Sequence, residues 1–433
     1  MRHLLLRSLA LVLMAPMAWA QIRLPTVPLP LKPLSTPQAP VDTLASRTLD
    51  TLSRVRLLQM KALVRSNPRF IDTDPRGNPI VRSEVLVLGP RDDSLRLART
   101  LGFNVLRDTN MESIALRLVV LGAPEGMSTR KALKTLRASD PGGVYDFNHI
   151  YMPSGDIAPL RNAQREPGEE PAQPILPTLR STRIGLIDSG VDLHHPALAD
   201  ARAHLWGCGN KAVAAEHGTA VASLMVGHAR NFHGVRPGAE LFAADIYCGV
   251  ATGGAVDALS AGFAWLAQEH VPVLNISLVG PSNVMLERVV AALVARGFII
   301  VAAVGNDGPA AAPLYPASYP HVVGVTGVDA HRRVLIEAAR GPQVMFAAPG
   351  ADLAAASPAG GYVLVRGTSF AAPVVAALLA PELSQPDIDS ASSALESLAK
   401  SALPVGKSGR DLTYGFGIVG LEYRNDPSIL VHP

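Results

Sequence analysis

Thirteen residues restrict this chain more than any others: Gly367-Thr368-Ser369-Phe370-Ala371-Ala372-Pro373, running straight into Val374-Val375-Ala376-Ala377-Leu378-Leu379. A turn of small residues delivers a serine to the first turn of an apolar helix, one that reads as buried. A helix N-terminus carries unpaired N–H groups and positive partial charge. Pro373 is expected in that same first turn, where its missing N–H costs little. Two readings are open at this point. Ser369 is a cap on a buried helix, or it is a nucleophile whose own N–H helps to hold the oxygen that becomes negative.

Other segments bear on that choice. Ile184-Gly185-Leu186-Ile187-Asp188-Ser189-Gly190 is an apolar run ending in an acid and a glycine turn, the pattern of a buried strand with Asp188 at its C-terminal edge. Glu216-His217-Gly218-Thr219-Ala220-Val221-Ala222 sets a histidine at the start of another apolar helix. An acid, a histidine and a serine thus each sit at the end of a regular element.

These segments carry a resemblance to the subtilisin-like serine proteases, the subtilases, whose type member has the same chain order of Asp, His and Ser. The matching residues are Asp188-Ser189-Gly190, His217-Gly218-Thr219-x-Val221-Ala222 and Gly367-Thr368-Ser369-x-Ala371-x-Pro373. Ala303-Val304-Gly305-Asn306-Asp307-Gly308 resembles the family segment whose asparagine completes the oxyanion hole. Asn275-Ile276-Ser277-Leu278-Val279-Gly280-Pro281 is similar to the family strand that pairs with substrate backbone and walls the P1 pocket. The resemblance spans roughly residues 180 to 425.

It implies a role for each residue. Ser369 Oγ is a poor nucleophile until a base takes its proton. His217 is the natural base, because its unperturbed pKa lies near working pH. Asp188 would bond the other imidazole nitrogen and stabilise the imidazolium. Asn306 and the Ser369 N–H would hold the oxyanion; in subtilisin, where this was measured, losing such an asparagine costs about 100- to 1000-fold. Ser277, Leu278, Val279, Gly280 and Asp307 are the expected substrate-binding residues. Val279 stands where the resemblance often places glycine, Asp307 favours a basic P1 residue, and Leu314 narrows the pocket floor; these pull in different directions. The competing reading is a catalytically silent, exported binding or chaperone protein on the same fold.

The chain has 433 residues, 48% of them hydrophobic, enough for a sizeable core and two or three units. A net charge of +3 and the lack of a basic cluster interleaved with aromatics argue against nucleic acid as a partner. Residues 1–20 read as a secretory signal peptide, with Arg2, an apolar stretch and Ala18-Trp19-Ala20 as the cleavage site. A secreted or periplasmic monomer without a membrane anchor is therefore expected. Cys208 and Cys248, an even pair in an exported chain, suggest one disulfide; a metal site is the weaker alternative.

Residues 21–82 form a proline-rich lead-in and an amphipathic helix. Residues 83–153 pattern as β-α-β-β-α-β, the order of a small ferredoxin-like α+β domain. This unit resembles the subtilase propeptide, which implies an intramolecular inhibitor whose tail, near His149-Ile150-Tyr151-Met152, lies in the active site. Self-cleavage is expected near Tyr151-Met152 or in the linker 154–180, rich in proline and charge. From residue 181 to 425, short apolar strands alternate with helical stretches, the signature of an α/β parallel sheet with helices on both faces. Residues 426–433 form a tail. No cofactor is expected. Gly227 to Pro237 contains no carboxylate, so calcium is not expected there, although Asp245 and Asp257 leave a weaker site open. His194 and His195 lack the further ligands that a metal site needs.

Overall fold

The computed structural model describes residues 56–160, 182–407 and 409–430. The expected leader, the lead-in up to residue 55 and the linker beyond residue 160 lie outside the described residues. Among the described residues no helix is long and apolar enough to cross a membrane.

Seven strands make the central sheet, in the order Val344–Pro349, Val323–Val328, Ile299–Ala303, Val273–Ile276, Arg183–Asp188, Glu240–Asp245, Arg202–Trp206. Every pairing between them is parallel. A parallel sheet is covered on both faces, so its strands read as continuous apolar runs. The strand Ile299–Ala303 shows how the pleat divides such a run. Ile299, Val301 and Ala303 join the cluster containing the helices Glu216–Val226 and Thr368–Leu379. Ile300 and Ala302 join the cluster containing Val256–Gln268 and Val284–Val294. Asp188 ends its strand, Ser277 follows the strand Val273–Ile276, and Asn306 follows Ile299–Ala303. Three site residues therefore gather at the carboxyl edge, where open α/β sheets hold their ligands.

The N-terminal unit is a second layer system. Its strands Pro79–Leu88, Asn104–Met111, Leu116–Gly122 and Val144–His149 form an antiparallel sheet with Pro79–Leu88 and Leu116–Gly122 in the middle. The helices Asp92–Thr100 and Thr129–Ser139 pack on one face, and Ser128 Oγ accepts from Lys131 N as the cap of the second. Val85, Val87, Val119 and Leu121 point into this unit's own core. Their neighbours Leu86, Leu118 and Val120 point the other way, into the cluster of the helices Val256–Gln268 and Val284–Val294. Period-two alternation in the strands thus supplies both the small domain's core and its seat on the large one.

Polar groups fix that seat. Asn283 caps the helix Val284–Val294 through Oδ1, while its Nδ2 donates to Phe147 O at 2.9 Å. Asp146 Oδ2 accepts from Val284 N at 2.9 Å. Arg107 bridges Glu84 at 2.6 Å and Asp257 at 2.7 Å. Asp257 is thereby held as an interdomain anchor.

Candidate active site

Asp188 is fully buried, and its Oδ1 and Oδ2 lie 2.8 and 3.0 Å from His217 Nδ1. Ser189 completes the carboxylate's surroundings. Its N–H donates to Asp188 Oδ1 at 2.7 Å, and its Oγ accepts from Gly218 N at 2.9 Å. One hydroxyl so ties the acid's strand to the histidine's helix. Gly218 is required there, because a Cβ would stand 2.0 Å from Ser189 O. In the neutral ring, with Nδ1–H given to the carboxylate, the lone pair lies on Nε2. Nε2 is buried and makes no hydrogen bond to the described residues.

Ser369 is the second residue of the helix Thr368–Leu379 and is fully buried. The expected place of Pro373 needs correction: it stands five residues beyond the helix start, in the second turn. There its ring removes the N–H that would have bonded Ser369 O four residues earlier. Ser277 Oγ takes that role, donating to Ser369 O at 2.7 Å. Ser277 O in turn accepts from Ser369 Oγ at 2.9 Å. The hydroxyl is therefore turned to Ser277 and not to the imidazole, although the rings of His217 and Phe370 are 5.4 Å apart. Gly367, at φ +138°, lets the turn close: a Cβ there would meet Asn306 Nδ2 and Gly155 Cα, each at 2.7 Å. Asn306 Oδ1 accepts from Thr368 N at 3.1 Å, which points its Nδ2 into the cleft.

What fills the cleft is the chain itself. Tyr151 N donates to Gly254 O at 2.8 Å. Met152–Pro153 pairs antiparallel with Leu278–Val279, Val279 opposite Met152. Ser154 N donates to Ser369 Oγ at 3.1 Å, and Ser369 N donates to Ser154 O at 3.2 Å. Asn306 Nδ2 donates to Ser154 Oγ at 3.0 Å. Asp156–Pro159 then pairs antiparallel with Tyr362–Arg366. Composition alone placed this strand at the start of an exposed linker. The backbone groups of a distant strand, which composition does not register, give it its structure. Ser154, Gly155 and Ser189 are the site residues for which sequence reasoning assigned no role; the only signal for the first two is a small-residue pair after the apolar Ile150-Tyr151-Met152.

Tyr151 is fully buried against Gly280, and its hydroxyl donates to Pro281 O. Burial pushes its pKa well above the ordinary value, so it stays a donor. Tyr247 donates to Tyr151 O at 2.8 Å and is held protonated in the same way. Asp307 is salt-bridged at 2.9 Å to Arg56, in the helical stretch 56–66.

Cys208 and Cys248 are joined by a disulfide, with Cα atoms 5.2 Å apart. The bridge brackets Asp245, the register partner of Asp188. Cys208, Asp245 and Cys248 come together, but both sulfurs are spent on each other. Burial and the Asp188 charge push the Asp245 carboxyl up, against the lowering N–H groups of Cys248 and Tyr247. His195 Nε2 lies 2.7 Å from Gly361 O and its Nδ1 accepts from Ala197 N, a structural role. In the loop doubted for calcium, His228–Ala229 and Phe232–His233 form a short hairpin whose polar clasp is Asn425 on His233. Its side chains offer no carboxylate oxygen, a poor donor set for calcium.

A hydrogen-bonded acid and histidine, a serine at a helix N-terminus and an amide aimed at the same backbone segment are the parts of an acyl-transfer site. The comparisons agree. The family model described as "Peptidase_S8: Subtilase family" matches residues 180–417, which include Asp188, His217, Asn306 and Ser369. Subtilisin DY of Bacillus licheniformis is 30% identical over 250 residues, 56% of this chain and 90% of that protein. Subtilisin E of Bacillus subtilis is 28% identical over 307 residues, 67% of this chain and 77% of its own. Among solved structures, fervidolysin from Fervidobacterium pennivorans, described as a keratinolytic enzyme related to subtilisin, superposes with a TM-score of 0.63 at 19% identity. That match covers 82% of this chain and 61% of fervidolysin, and it speaks to the fold alone. With more than half of its length matched to the family model, the chain belongs to the subtilase family of serine endopeptidases.

Proposed function

We propose that the protein is exported as a zymogen, cuts its own Ser154–Gly155 bond, and then hydrolyses other polypeptides as a monomer without a cofactor. The observation that carries this is the Ser154 carbonyl oxygen lying 3.2 Å from Ser369 N, between two strands that run on through the cleft. The leader-like residues 1–20 and the disulfide support export.

The chemistry follows from the positions. Ser369 Oγ turns from Ser277 O to His217 Nε2 and gives it its proton as the Oγ–C bond to Ser154 forms. Negative charge gathers on Ser154 O, held by the Ser369 N–H and by Asn306 Nδ2 once it moves over from Ser154 Oγ. Asp188 balances the imidazolium. Collapse breaks the C–N bond, and His217 passes the proton to the departing Gly155 nitrogen. Water, activated by the same histidine, then frees the Ser154 carboxyl.

The second reading is the silent binding protein. It is favoured by one feature: the Ser369 hydroxyl bonds Ser277 O while His217 Nε2 has no partner among the described residues. Labelling with a serine-directed fluorophosphonate separates the two. Processed wild type freed of its N-terminal fragment is expected to label and Ser369→Ala is not. Folded, processed wild type that takes up no label after that fragment has been removed would establish the silent reading.

A further inference from the structure

Leu314 is buried yet lies outside every apolar cluster of the core. Its partner is backbone: a Cβ on Gly305 would stand 2.4 Å from Leu314 Cδ1, so the leucine lies flat against the residue that precedes Asn306. Neither side of that contact can yield easily. Gly305 N donates to Thr368 Oγ1 at 3.1 Å, and its carbonyl accepts from Ala339 N at 2.9 Å. Tyr315, next to Leu314, exchanges both backbone hydrogen bonds with Gly280, at 2.9 and 3.0 Å. Gly280 continues the strand Leu278–Val279 that pairs with Met152–Pro153. Leu278–Val279 and Gly305–Asn306 thus flank the residue before the cut bond, the first through its pairing with Met152–Pro153 and the second through the Asn306–Ser154 hydrogen bond. Leu314 packs against the second of these flanks. The side chain the protein itself offers there is small, and Ser154 is buried with its Oγ on Asn306 Nδ2 at 3.0 Å.

We propose that Leu314 plugs the P1 pocket and restricts this enzyme to substrates with glycine, alanine or serine before the cut bond. This rests on the endopeptidase reading above and on Ser154 as the P1 residue. Close-packed walls do not make room for an extra ring without strain. Asp307 is salt-bridged to Arg56 of the N-terminal fragment, and the Lys peptide below tests whether it sets the preference instead.

The test uses processed wild-type protein freed of its N-terminal fragment and a peptide series Tyr-Met-Pro-X-Gly with X as Ala, Ser, Phe or Lys. A single methylene in an apolar pocket already shifts kcat/KM by about 10- to 200-fold, so Ala and Ser should exceed Phe and Lys by at least about 100-fold. Leu314→Gly should reverse the Ala-to-Phe ratio. A second arm does not depend on the folding of that variant. In the full chain, Ser154→Phe should halt processing, and Ser154→Phe with Leu314→Gly should restore it. A wild-type preference for Phe, or a Lys preference that would assign control to Asp307, overturns the proposal while leaving the endopeptidase reading intact. So does ready processing of Ser154→Phe at the same bond. No turnover of any peptide and no fluorophosphonate label would overturn both.

Discussion

On either side of Ser154 one continuous segment is held in the cleft by different means. Before it, Ile150, Tyr151 and Met152 are buried, Met152–Pro153 pairs with Leu278–Val279, and Ile150 bridges Ala255. After it, four residues pair with Tyr362–Arg366, yet Asp156, Ala158 and Pro159 are exposed. Burial of apolar surface stabilises the first half, whereas the second relies on backbone hydrogen bonds that water can replace at small net cost. Once the bond is cut, the difference has a direction. The new strand that begins at Gly155 should leave, and the Tyr151–Ser154 end, attached to a domain seated by Leu86, Leu118 and Val120, should stay as an inhibitor.

The largest effect expected from this contrast is at Tyr151. Tyr151→Ala should cost about 3–5 kcal/mol of binding by the released N-terminal fragment, as for other large buried aromatics. That corresponds to roughly 100- to 4000-fold in the inhibition constant, measured by titrating the processed protein's own fragment against its peptidase activity. A change below about tenfold would show that burial does not retain the fragment. Arg56→Ala comes next, at about tenfold, since it removes one partly buried, charge-assisted bond to Asp307. Its readout is the same titration.

The sequence showed most of this contrast on one side only. Asp188, His217, Asn306 and Ser369 were legible because each sits at one end of an apolar run, and such runs have few places to go in an α/β fold with a parallel sheet. The ferredoxin-like order was legible from Val85, Val87, Val119 and Leu121, whose alternation marks an inner face. Asp156–Pro159 was not, because proline and charge describe a linker equally well, and its partner strand is some 200 residues away. Pro373 was misplaced by a turn because its cost is met by a hydroxyl from Ser277, which local pattern cannot supply.

Smaller effects test the second half. Ile157→Ala should change the rate of processing by less than about threefold, followed as band conversion over time, since Ile157 is only half-buried. The pH dependence has a fixed sign. Asp156 is exposed over much of its surface, yet desolvation of its carboxyl, and then the Glu337 charge, raise it above its ordinary 3.8, against the lowering effect of Arg366. The docked strand therefore holds its proton more tightly than the free one. Docking is strongest below 3.8 and weakens as pH rises through the raised value. Asp156→Asn should flatten the pH dependence of release of the Gly155 end, monitored by a fluorophore on Asp156–Pro159. An unchanged slope would place the titration elsewhere.

The central claim, that Ser369 cuts the chain between Ser154 and Gly155, is met most directly by intact-mass and N-terminal sequence measurement on wild type and Ser369→Ala expressed side by side. Two pieces are predicted from wild type, one ending at Ser154 and one beginning at Gly155, with Ser369→Ala remaining joined across that bond. A mature chain that begins elsewhere, or equal processing of Ser369→Ala, would contradict the account.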